Sequence, residues 1–225
     1  MLKALFYIPA IMFLVAIISD VFLRVYLVRG RKLILDSNAF NSLSKMLNLK
    51  GYELDNHIIQ QSKSHFYHPL KNCVGIKSFD SRAVSKVIPS LHEGGHYLSI
   101  NTSIRKRKAF CVSQVIIALN RLLVIPLFLL LAFDLIKFSS LSSAVFLTIL
   151  MIIFIVASFL RLFVGVYDEY CASQLAMNYI NNNFDSRTKD YAIKFFIMSF
   201  LSQMFLSLTI IISISVIYVV LISMS

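Results

Sequence analysis

Cysteine is scarce in this chain. Its three cysteines, Cys73, Cys111 and Cys171, lie far apart with no Cys-x-x-Cys pair, which excludes a disulfide framework and a thiolate zinc site and fits a reducing compartment. Acidic residues are few as well: 11 Asp and Glu against 22 Lys and Arg leave a net charge of +11. Such an excess can signal nucleic acid, but the basic residues here flank apolar runs and lack the interleaved aromatics of a base-stacking surface, so nucleic acid is not expected as a partner. Internal repeats and low-complexity segments are missing too. What abounds is apolar side chain, 58% of 225 residues with a mean hydropathy of +0.76, more than a soluble domain of this size can bury.

A bilayer is the natural solvent for such a chain, since about 20 apolar residues in a helical run span its hydrocarbon. The first run, Leu2 to Val28, ends at Arg29, Arg31 and Lys32 and has no small-residue cleavage site, so it reads as a retained anchor. A second is centred on Leu122 to Phe138, with Pro126 as a point of kinking, and a third runs from Ala144 to Leu160. This third helix continues through Arg161 into Tyr167, Glu169 and Ala176, and a fourth runs from Ile193 to Leu221. Basic blocks at Arg29–Lys32 and Arg105–Lys108 bracket one hydrophilic stretch and mark it as cytoplasmic. Ser139–Ser143 then form an outer turn and Asn181–Lys189 a polar cytoplasmic one.

The expected architecture is therefore mainly α and integral to a membrane. About four transmembrane helices carry a small α+β zincin-like cytoplasmic domain, with both termini outside. The divisions are 1–29 (anchor), 30–110 (cytoplasmic domain), 111–165 (transmembrane hairpin), 166–192 (cytoplasmic segment) and 193–225 (last transmembrane helix). Within 33–80 the turn formers predict a small helix and one or two short strands, such as Cys73 to Lys77. A helix resumes from Ser81, kinked or started by Pro89.

That helix carries His92-Glu93-Gly94-Gly95-His96. Histidines at i and i+4 share one helical face and offer two imidazole nitrogens to one zinc, while the glutamate between them reaches a water beside the metal. Glu93 is the expected general base, taking a proton from that water and passing it to the leaving nitrogen of a peptide bond. With only three glutamates and five histidines in the chain, chance explains the pattern poorly. Two adjacent helical glycines cost roughly 1 kcal/mol each relative to alanine. Close approach of another helix or of substrate backbone would offset that.

An open catalytic zinc site wants a third protein ligand, and Glu169 is the better candidate than Glu53, which sits in a turn-rich segment. Ala172, Ser173 and Ala176 follow Glu169 at i+3, i+4 and i+7, all small, so this helix can pack closely on Gly94 and Gly95. Ser173 is placed to hydrogen-bond and orient a ligand imidazole. The alternative for Glu169 is a solvated charge beside Asp168. Tyr67 and His68 are candidate donors to an oxyanion, weighed against a packed tyrosine and a solvated loop histidine. Arg121 and Arg161 are expected to snorkel to headgroups, although a charge in such a place can mark function.

The two segments together, His92-Glu93-Gly94-Gly95-His96 and Glu169-Tyr170-Cys171-Ala172-Ser173 with two crossings between them, resemble the neutral zinc metallopeptidases of bacterial membranes, the YugP-like family. In that family the metal helix usually reads His-Glu-x-Gly-His and the third ligand opens a Glu-x-x-Ala-Ser segment. Gly95, Glu169, Ala172 and Ser173 match, and His65-Phe66-Tyr67-His68-Pro69 is loosely similar to the extended element before the metal helix. Gly94 departs from the pattern, as do Tyr97 and Leu98. The resemblance implies zinc as cofactor, a peptide or protein substrate, membrane lipid as surroundings, and a bacterial inner membrane with the site on its cytoplasmic face. HtpX-like quality-control proteases are a neighbouring possibility, but usually carry aspartate where Ser173 stands. A non-catalytic scaffold clamped by metal, with His68 as a fourth ligand, is the remaining alternative.

Overall fold

The computed structural model describes residues 7–49, 51, 58–132 and 141–224. Among these described residues it is mainly helical, with one small sheet and four helices long and apolar enough to cross a membrane. Glu53, the beginning of the first apolar run and the outer turn up to Ser140 lie outside the described residues. The chain forms two compact units, one of residues 1–18, 112–166 and 201–225, the other of residues 19–111 and 167–200.

Helix α1 (Tyr7–Arg29), which belongs to the second unit from Ser19 onward, ends as the Gly30 N–H bonds the Tyr26 carbonyl at 2.9 Å. Helix α2 (Ala39–Asn48) starts at Asn38, whose side chain accepts the Asn41 N–H at 2.8 Å and so satisfies one of the free donors of a helix start. Ala39, Leu43, Met46 and Leu47 recur at helical spacing and are buried.

Three strands follow rather than one or two: β1 (Ile59–Gln61), β2 (Phe66–His68) and β3 (Cys73–Ile76). β3 is central, parallel to β1 and antiparallel to β2, with all four of its residues buried. Gly75 stands opposite Phe66 in the register, and the Phe66 ring occupies the space that a side chain there would need.

Helix α3 (Val84–Ile100) packs on α2 and the sheet through Val84, Val87, Ile88 and Leu91, all fully buried. Its first residue has no side-chain cap. Backbone carbonyls of Leu33 and Gly30 instead accept the N–H groups of Val84 and Ser85 at 2.9 and 3.2 Å. Pro89 therefore lies inside the helix and not at its start.

Helix α4 (Ile104–Leu119), which belongs to the first unit from Val112 onward, passes through a π turn, Asn120–Val124, into α5 (Ile125–Ala132). The proline ring of Pro126 would clash with the carbonyl of Leu122 in a regular helix, and the wider turn just before it relieves that clash. Helix α6 (Leu141–Leu160) passes through a second π turn, Arg161–Gly165, into α7 (Val166–Asn183). The expected single helix through Arg161 to Ala176 is thus present, and helical residues run without a break from Val145 to Asn183. Val124, Leu147, Met151, Phe154 and Ile214 make this unit's core.

The last helix, α8, runs from Ser186 to Met224. It begins well before the expected Ile193, and the polar turn shrinks to Phe184 and Asp185. Asp185 caps the new helix, its carboxylate accepting the Thr188 N–H at 3.0 Å.

Candidate metal centre

α3 presents His92 and His96 one turn apart, with ring centroids 4.7 Å from each other. Glu169, in the first turn of α7, places its carboxylate between them: Oε1 lies 3.0 Å from His92 Nε2 and Oε2 lies 3.3 Å from His96 Nε2. All three side chains are largely buried. Their ligand atoms lie within 4.8 Å of one another, so the group is able to hold a metal ion, and among the described residues no further His, Cys, Asp or Glu joins it.

The distal ring nitrogens are held as well. Asp168 Oδ2 sits 2.7 Å from His96 Nδ1, and Ser173 Oγ sits 3.4 Å from His92 Nδ1. A carboxylate on Nδ1 accepts a proton there, which leaves Nε2 as the free lone pair, and both Nε2 atoms face Glu169. Donors about 2 Å from a tetrahedral ion stand about 3.3 Å apart, close to the spacings found here. The residues fit a metal.

Asp168 was not singled out by spacing, because an acid beside an acid reads as a solvated pair. In the structure it is buried, and its Oδ1 has no hydrogen-bond partner among the described residues. Burial opposes a proton on His96, but hydrogen bonds to Asp168 and Glu169 and the charges of Asp168 and Glu93 outweigh it, raising its pKa from 6.5 to about 10.

Close helix contact is what brings Glu169 to α3. A β-carbon on Gly95 would run into the backbone of Ala172, so α7 seats directly on the helix at this glycine. Gly94 does something different from what its pairing with Gly95 suggested. It faces α2, where a β-carbon would meet the tip of Leu43. Glu93 is half-buried beside the two histidines.

α8 adds two residues that no motif indicated. The Phe196 ring lies 5.3 Å from that of His92, and Ser199 Oγ donates to Glu169 Oε1 at 3.5 Å. Their only sequence signal is the i, i+3 spacing on the first part of a helix that was expected to be membrane from its eighth residue, Ile193, onward.

Tyr67 and His68 are engaged elsewhere. The Tyr67 hydroxyl donates to Asn72 Oδ1 at 3.1 Å and its ring packs edge-on against Tyr97, while burial pushes its pKa up to about 12. His68 Nδ1 accepts the Lys71 N–H at 3.2 Å and closes the β2–β3 turn. The structure does not bring His68 into the metal-holding group. Compared with known proteins, the chain matches no family model, no curated sequence and no solved structure.

Proposed function

We propose that this chain is an integral membrane zinc metallopeptidase that hydrolyses peptide bonds in membrane or membrane-adjacent proteins. The observation that carries the reading is the convergence of Glu169 on the two Nε2 atoms of a His-Glu-x-x-His helix. Two imidazoles and one carboxylate are the three-donor set that a catalytic zinc takes, its fourth position being kept for water or substrate. Zinc supplies Lewis acidity there and brings the pKa of a nearby water toward about 7.

Glu93 takes the proton from that water as its oxygen attacks the substrate carbonyl, then delivers it to the leaving nitrogen, so that water's oxygen ends on the acyl product and its proton on the amine. Asp168 and Ser173 hold His96 and His92 by Nδ1 and fix which nitrogen faces the metal. Glu169 supplies one negative charge and, with Ser199 on its Oε1, a fixed orientation. Basic blocks at Arg29–Lys32 and Arg105–Lys108 support a cytoplasmic placement of the site in a bacterial inner membrane.

A structural metal clamp calls for four protein donors, and only three meet here among the described residues. The discriminating experiment is zinc content and cleavage of casein or a membrane protein by detergent-purified protein. Glu93→Gln is expected to keep its zinc and lose at least about 100-fold in hydrolysis. Retained hydrolysis refutes the base assignment. Glu169→Ala is expected to lose zinc, and unchanged zinc content excludes it as a ligand.

A further inference from the structure

The apolar unit holds a polar notch far from any motif in sequence. Asn120, Arg121, Ser158, Arg161 and Ser207 line it, together with Phe154. Each arginine belongs to one of the two π turns, Asn120–Val124 and Arg161–Gly165, so two local departures from regular helix aim cations at one place. Such turns recur at functional sites because they re-aim side chains at a cost in helix geometry.

Four features say what would answer these cations. Among the described residues of this unit there is no Asp or Glu at all, so no described residue of the unit gives the two guanidinium charges a counter-charge. Asn120 is only 8% exposed, and its Oδ1 is buried without a hydrogen-bond partner among the described residues, so it lacks a donor. The notch itself has about 20 Å³ of free space, room for one oxygen-sized atom. The flanking residues Leu122 and Phe163 are each 72% exposed, so whatever reaches the arginines passes an apolar surface.

We propose that this notch binds the headgroup of an anionic glycerophospholipid. One phosphate oxygen enters between Arg121 and Arg161, a headgroup hydroxyl donates to Asn120 Oδ1, and the acyl chains lie on the apolar faces of α4 and α6. A zwitterionic lipid fits less well, because its own ammonium already cancels the phosphate charge, and inorganic phosphate gains nothing from the apolar surround. This site rests on the membrane reading above but not on the metal chemistry.

The test is native mass spectrometry of detergent-purified protein with phosphatidylglycerol, phosphatidylcholine or inorganic phosphate. Wild type is expected to retain phosphatidylglycerol over the other two. Arg161→Gln is expected to weaken that retention about fivefold. Asn120→Asp, which supplies the missing counter-charge from within, is expected to abolish it while the melting temperature holds or rises. Equal retention of phosphatidylcholine, displacement of phosphatidylglycerol by inorganic phosphate, or retention untouched by both variants overturns the proposal. Carbonate extraction of the same membranes checks the membrane reading separately: protein released into the supernatant sinks that reading, whereas protein in the pellet without lipid selectivity sinks only the site.

Discussion

His96 shows how a single side chain is held within a group that could take a metal. Its Nδ1 is committed to Asp168 and its Nε2 is turned to Glu169. Removing such an outer partner typically costs 10- to 100-fold in metal affinity. Asp168→Ala is therefore expected to weaken zinc binding by about that factor. Asp168→Asn, whose amide oxygen still accepts from Nδ1, should recover part of the loss, and titration with a competing chelator measures both. Equal affinity in all three proteins would reduce Asp168 to a packing residue.

His65 makes a different use of burial. Both its ring nitrogens are buried without partners among the described residues, and burial, reinforced by Lys86 and Lys77, pushes its pKa from 6.5 down to about 4. The folded chain keeps this ring neutral while the unfolded chain protonates it, so its contribution to stability is full above pH 6.5 and is lost as pH falls toward about 4. His65→Leu should flatten that part of the stability profile, as read from melting temperatures at pH 7.5 and pH 5. A wild-type melting temperature that is unchanged across this interval contradicts the assignment.

Among the elements, the α3–α7 contact decides whether the site assembles. Gly95 touches the backbone of Ala172, which cannot yield, whereas Gly94 touches the mobile end of Leu43. Gly95→Ala should cost about 1–3 kcal/mol, as overpacking does, and should lower zinc affinity by displacing Glu169. Gly94→Ala gains up to about 1 kcal/mol in helix propensity against a small repacking of Leu43, and should leave zinc binding intact. Denaturant melts and zinc titrations of the two variants measure the contrast. In sequence the two glycines look alike, because both break the same helix; only their partners tell them apart. The strands were harder to read for a related reason. β1 and β2 have three residues each, too short for an alternation to stand out, and what makes them strands is their pairing with β3. The long helices were legible because an apolar run needs no partner to announce itself.

For the molecule as a whole, a bound metal acts as a ligand of the folded state alone. Zinc at 100 times its dissociation constant should add about 2.7 kcal/mol to stability, seen as a rise in melting temperature that Glu169→Ala abolishes and Glu93→Gln preserves. A rise that persists in Glu169→Ala would mean that zinc stabilises from elsewhere. Local pattern was enough to establish a helical, apolar chain, the two histidines on one helical face and the acid that follows the third apolar run, since composition and helical period act over one or two turns. The folded chain alone assigned Asp168 to His96, Ser199 and Phe196 to the cluster, Gly94 to α2 and the two arginines to one notch, because each of those contacts joins stretches far apart in sequence. Which distant surfaces meet depends on how helices pack, and no short stretch of residues carries that information.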